Sequence, residues 1–264
     1  MIVGRPVQIY PIDNSTQFVV ATGVAGIGDL RLWVPEAIMS ERGNCAVYPV
    51  GSWSGTSVMW RQTIESHQSI GPGNCPKVDD QTFECCGIRI PADQPVRWET
   101  RVVAGDAEVR FTIRLTNLGD APIRKGGAAI CLKFLDGNWW SDRTTWAIRN
   151  GQRVALAALG TDAGRANPFQ AYLLADQTYD HVFYHAFWGI NRHRVDLAVL
   201  VSENPMAGVC AGIEAPRAYF VHSNRGNPCT DVMVGFGDIG PGQVAEAGGR
   251  VWVDGSGPRD THES

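Results

Sequence analysis

Nowhere does the chain approach the ~18 consecutive apolar residues of a membrane-spanning helix, and no charged segment followed by an apolar one opens it at MIVGRPVQIYPIDNS. Neither a membrane anchor nor a secretory leader is predicted. There is no long Lys or Arg run, and with 23 basic against 27 acidic residues the net charge is −4, so nucleic acid and anionic membrane surfaces are not expected partners. Cys-x-x-Cys pairs are missing as well. The seven cysteines, at 45, 75, 85, 86, 131, 210 and 229, are odd in number and scattered in spacing, which predicts reduced thiols and a cytoplasmic location over a disulfide framework. Cys85 and Cys86 are adjacent, so in a strand they would point to opposite faces and could not readily chelate one ion together. No period of 20–50 residues repeats, which argues against a propeller or solenoid.

Long helical patterns are also scarce. PEAIMSER is a helix candidate that could make one or two turns after Pro35, and NGQRVALAAL and NPFQAYLLADQ could be short helices or strands. What is abundant is β pattern. Apolar or alternating segments such as TQFVVAT, DLRLWVP, CAVYPV, SVMWRQTI, TFECCGIRI, VRWETRVVA, GAAICLKFL, HVFYHAFW and RAYFVHS are separated by clusters drawn from 30 Gly and 15 Pro with Asn and Asp. In AEVRFTIRLTNLGDAPI, Val109, Phe111, Ile113 and Leu115 alternate with Arg110, Thr112 and Arg114 before a turn, the signature of a strand with one buried face. The fold expected is all-β: a large two-sheet antiparallel β-sandwich forming a single domain over residues 1–253, with 254–264 as a frayed, flexible tail.

The turn TNLGDAPI, followed far downstream by FGDIGPGQ and GGRVWV, resembles the galactose-mutarotase-like β-sandwich group, the supersandwich of many carbohydrate-active proteins. LWVPEAI, WRQT, CLKF and IEAPRAYFVHSN are similar to segments of uncharacterised bacterial proteins of that type, and the resemblance spans Leu30 to Val253. It implies a concave sheet face that holds a sugar or a similarly polar small molecule. In those similar proteins a His sits two residues after the loop cysteine, whereas this chain has Asp231 after Cys229. The His and Glu acid–base pair of mutarotases finds no matching positions here.

Four clusters carry the chemistry. DHVFYHAFWGINRHR, read as a strand, puts His181 and His185 on one face and Tyr184 and Trp188 on the other, with Arg192, His193 and Arg194 in a basic turn. Imidazole exchanges protons near neutral pH and guanidinium grips a carboxylate, which suits sugar-acid chemistry. GNWWSDRTTW offers Trp139, Trp140 and Trp146 with Asp142 and Arg143, indole faces for a pyranose and charges for its hydroxyls. SVMWRQTIESHQ places Arg61, Glu65 and His67 on one strand face, a possible acid–base pair or two metal ligands. IEAPRAYFVHSNRGNPCTD gathers Glu214, Arg217, His222, Asn224, Cys229 and Asp231 around one loop. For each cluster the bland alternative is an ordinary strand face, a solvated charge or a core tryptophan.

These point to a carbohydrate-active enzyme, a lyase or an epimerase/isomerase, acting on a sugar or sugar acid by His-mediated proton transfer. His185 or His67 would be the base, Tyr184 or His222 the acid and Glu65 a partner, with Trp139, Trp140, Asp142, Arg143, Trp188, Arg192 and Arg61 binding substrate. The alternative is a non-catalytic carbohydrate-binding or sensing sandwich. No cofactor is expected; a divalent metal held by histidines is the alternative. The partner is a small-molecule or oligosaccharide substrate, and the chain is expected to be a monomer or homodimer.

Overall fold

The computed structural model describes residues 6–12, 16–41, 43–46, 69–70, 77–79, 81–89, 94–160, 169–177, 189–224 and 228–255. Two large sheets account for most of them. The first runs β1 (Gln8–Pro11), β2 (Gln17–Ala21), β3 (Leu30–Ser40), β10 (Ile123–Phe134), β18 (Cys229–Ile239), β17 (Ala218–Asn224), β13 (Phe169–Leu173) and β14 (Gly189–Ile190), with β4 (Gly43–Ala46) also paired to β3. The second runs β12 (Gln152–Ala155), β11 (Thr145–Arg149), β15 (Val199–Asn204), β16 (Val209–Glu214), β19 (Val244–Asp254), β9 (Glu108–Asn117), β8 (Val96–Ala104), β7 (Thr82–Arg89) and β5 (Ser69–Ile70), with β6 (Lys77–Asp79) on β7. Pairing is antiparallel apart from β13 with β14. The all-β two-sheet sandwich expected from the sequence is therefore the architecture found. No described helix is long and apolar enough to cross a membrane.

The alternating strands explain the packing. Val109, Phe111, Ile113 and Leu115 of β9 are all buried, while Arg110 and Arg114 on the other face are exposed. From the facing sheet come Phe18, Leu32, Ile130, Val221 and Val232, one residue in two along each strand. Phe18 meets Phe83 of β7 edge to face at 5.8 Å, a direct contact between the sheets. Trp98 is wholly buried, and Gly87 lies opposite it on β7 because a Cβ there would come within 2.8 Å of the indole.

The TNLGD turn is built around Asn117, which is fully buried. Its amide donates to the carbonyls of Ala121 (2.8 Å) and Ile239 (2.9 Å), and its Oδ1 accepts from Gly119 N–H at 2.9 Å. The backbone N–H of Asn117 also donates to Gln243, and Gly242, at φ 71°, returns a bond to Asn117. One residue thus ties the end of β9 to β18 of the other sheet through its side chain and to the Pro241–Gly242 turn through its backbone. Asn117→Ala leaves these buried carbonyls and the Gly119 N–H unpaired, and is expected to cost about 2–3 kcal/mol, read as a lower urea midpoint at unchanged slope.

Two expectations need correction. PEAIMSER is not helical: Leu30–Ser40 is one strand, paired with β2 on one side and β10 on the other. Pro35 followed by Glu and Ala fits a helix start locally, but the pairing satisfies the backbone on both sides and sends Leu32, Val34 and Ile38 into the core. The thiols are not uniformly reduced either, because Cys85 is disulfide-bonded. Cys86, Cys131, Cys210 and Cys229 are free, and Cys86 is exposed where Cys85 is buried, as strand alternation requires.

Candidate active site

The face of the first sheet turned away from the sandwich core carries three successive transverse rows, each read across neighbouring strands. The first is apolar: Ala37, Ala129, Met233, Phe220 and Leu173 lie opposite one another in turn and form a second buried hydrophobic cluster. The next is Trp33, Cys131, Asp231, His222 and Ala171. The third brings Arg31, Lys133, Cys229 and Asn224 together. A polar band thus abuts an apolar floor, and Cys131, Asp231, His222 and Cys229 are all buried although none points into the core.

Cross-strand register decides the contacts. His222 stands directly opposite Asp231, and its Nδ1 lies 2.5 Å from Asp231 Oδ2. Such a pairing fixes the imidazole's orientation and favours the tautomer with a proton on Nδ1. Behind His222, on the core side of the same strand, Ser223 Oγ donates to Asp142 Oδ1 at 2.7 Å, so the buried Asp142 braces β17 from beneath.

Glu36 joins the same face through a bulge. Between the pairs Ala37/Ala129 and Trp33/Cys131, β3 advances four residues (37 to 33) while β10 advances two (129 to 131). The surplus holds Val34–Glu36, pinned by Thr16, whose Oγ1 donates to Pro35 O at 2.7 Å and whose carbonyl accepts from Val34 N–H at 3.0 Å. Bulges re-aim side chains, and here the carboxyl of Glu36 comes under the influence of Asp231. Burial, reinforced by the Asp231 charge, pushes its pKa up to about 8. Cys131 is raised well above the ordinary thiol range, first by its hydrogen bond with Cys229 and then by burial. For Cys229 that same bond pulls down, but burial with Asp231 and Glu36 outweighs it, leaving the thiol at about 11.

Among the described residues, Cys131, Cys229 and Asp231 are the group able to hold a metal ion, with ligand atoms all within 4.8 Å of one another. This differs from the histidine-held metal weighed from the sequence.

The remaining predicted residues are placed as follows. His222 and Asp231 come together, with Asn224 and Cys229 in the adjoining row. Trp140 is buried in the sandwich core, and Trp139 is half-buried with its ring edge-on to Phe134 at 5.2 Å. Arg143 and Arg192 are exposed. Arg194 is spent on the carbonyls of Leu174 and Gln177. Glu214 bonds Arg250 on the second sheet, at 2.5 Å. Arg61, Glu65, His67, His181, Tyr184, His185 and Trp188 lie outside the described residues. Sequence reasoning missed Glu36 and Cys131. The available signal was a lone carboxylate in the otherwise apolar strand LWVPEAIM, visible only once that segment is read as a strand.

No model of a known protein family matches the chain, and no curated protein does. Among solved structures it is similar to a galactose mutarotase related enzyme from Lactobacillus acidophilus, at TM-score 0.45 and 8% identity over 96% of this chain and 99% of that one. It is also similar to a galactose mutarotase-like protein from Clostridium acetobutylicum, at TM-score 0.44 and 8% identity over 94% and 98%. A GH36 α-galactosidase from Geobacillus stearothermophilus aligns at TM-score 0.43 and 8% identity, over 94% of this chain and 41% of that one.

Proposed function

We propose that the outer face of the first sheet is the active site of a carbohydrate-active enzyme that moves protons on a sugar or sugar acid, in the manner of an epimerase, isomerase or lyase. The observation that carries this reading is the buried His222–Asp231 contact at 2.5 Å, on the same sheet face as the half-buried Glu36. Asp231 orients the imidazole, leaving Nε2 as the atom that exchanges a proton with substrate. Glu36, on the far side of the Cys131–Asp231 pair, keeps its proton at neutral pH and serves as the complementary acid. A protonated carboxyl and an oriented imidazole on one sheet face are what acid–base chemistry at a sugar carbon or ring oxygen requires.

The test is a screen of free sugars, uronates and short oligosaccharides by NMR and mass spectrometry, with wild type and His222→Gln in parallel. Turnover of at least one substrate by wild type, falling 10²–10⁴-fold in His222→Gln, is expected. Equal turnover by both proteins removes His222 from the mechanism and with it this reading.

Non-catalytic saccharide binding has one observation in its favour. On the outer face of the second sheet a hollow of about 740 Å³ is lined by Trp146, Trp252, Arg250 and Glu108, among others. Trp252 faces Gly212, where a Cβ would fall 2.5 Å from the indole. Saccharide binding abolished by Trp252→Ala, with no turnover of any sugar, would favour that alternative.

A further inference from the structure

The geometry points to a zinc site formed by Cys131, Cys229 and Asp231 on the outer face of the first sheet. Three observations carry it. The three ligand atoms lie within 4.8 Å of one another, and a tetrahedral zinc with Zn–S bonds of ~2.3 Å brings two sulfurs to about 3.7 Å, so only small side-chain movements are needed. All three residues are buried, and Asp231 Oδ1 has no hydrogen-bond partner, an uncommon state for a buried carboxylate oxygen and one that a cation would relieve. The arrangement is also rigid, because two adjacent strands supply every ligand: Asp231 sits opposite Cys131, and Cys229 lies two residues along on the same face of β18.

A disulfide is the competing use of two neighbouring thiols. Register argues against it. Cys131 is opposite Asp231, and Cys229 is opposite Lys133, so the two cysteines are diagonal neighbours, whose separation of about 7–8 Å exceeds the usual disulfide span. Diagonal placement leaves room for an ion between the sulfurs. Two thiolates with one carboxylate select zinc over magnesium or calcium, which take all-oxygen shells.

Binding balances as two thiols and Zn²⁺ giving a zinc dithiolate and two protons, with Asp231 entering as the carboxylate. Lys133 and Arg31, in the adjoining row, place positive charge beside the thiolates. His222 holds Asp231 from the side, as an outer-shell donor orients a ligating carboxylate. Three protein ligands leave a fourth position for water or for the neighbouring Glu36, the open coordination of zinc sites that take part in chemistry. Of the three ligands only Asp231 is shared with the proton-transfer reading, and metal binding is measurable with no sugar present.

The experiment uses the full chain, stripped with a chelator and titrated with Co²⁺ and then Zn²⁺. One equivalent of Co²⁺ is expected to give a thiolate-to-metal charge-transfer band together with tetrahedral d–d absorption, both abolished by one equivalent of Zn²⁺. Cys131→Ser and Cys229→Ser are each expected to lose the charge-transfer band and at least 10²-fold in zinc affinity, while circular dichroism stays that of wild type. Wild-type protein with no stoichiometric Co²⁺ band overturns the site without reference to any variant. So does mass spectrometry showing Cys131 and Cys229 joined as a disulfide in freshly purified protein. Zinc binding with loss of no sugar turnover on chelation would support the site while leaving proton transfer metal-independent.

Discussion

Asp231→Asn is expected to slow turnover by about 10³–10⁴-fold while leaving His222 in place, because a carboxamide opposite Nδ1 no longer enforces the tautomer that carries its proton on Nδ1 and presents Nε2 as the acceptor. The effect is that of a positioning residue, since Asp231 acts through the imidazole. A merely structural role would lower stability and turnover together. Orientation predicts instead a fall in kcat with little change in KM, and a displaced acid limb in the pH profile, while the urea midpoint moves much less. Turnover within a few-fold of wild type would show that the 2.5 Å contact plays no part in catalysis. The same variant also removes a zinc ligand, so its activity is to be compared with that of Cys131→Ser: if the serine variant retains wild-type turnover without metal, the loss belongs to His222.

Glu36 has an equally large expected effect, on stability. Its pKa rises from 4.5 to about 8 on folding. Below about pH 4.5 both states carry the proton, and the folded chain has the full benefit. Between 4.5 and 8 the unfolded chain releases its proton and the folded chain keeps it, so the folded state binds more protons and stability falls as pH rises. Above about 8 that contribution is gone. At about 1.4 kcal/mol per pKa unit the change is roughly 3–5 kcal/mol across the window. Glu36→Gln does not titrate, so its stability relative to wild type should rise by that amount from about pH 4.5 to pH 9, measured by urea unfolding of chelator-treated protein. A difference between the two proteins that stays constant with pH would mean that Glu36 is solvated and ionised in the folded state.

LWVPEAI and CLKF read as strand ends and turns, yet Glu36 and Cys131 come one from each. His222 and Asp231 were legible as part of a polar cluster because nine residues separate them across a single loop between β17 and β18. Cys131 is one hundred positions from Asp231, and only the register of β10 against β18 makes them neighbours. Glu36 required a bulge as well as a register. In the tryptophan cluster Trp146 lines the hollow on the second sheet, whereas Trp139 and Trp140 form no platform, for the opposite reason. Trp139 and Trp140 are close in sequence to charges, but indole is worth more to stability when buried, and one lies within the core and the other against it.

By itself the amino-acid sequence determined that this chain is a strand-rich sandwich: period-two alternation in segments such as Glu108–Asn117 leaves each strand one apolar face to bury, and Gly, Pro and Asn set the turns. It also determined the turn at Asn117, whose partners include its own near neighbours. Which outward-facing residues would meet was decided only by tertiary structure. A strand's sequence specifies which face a side chain takes, but the strand lying beside it, and the residue standing opposite, depend on how distant segments pair to close a common core.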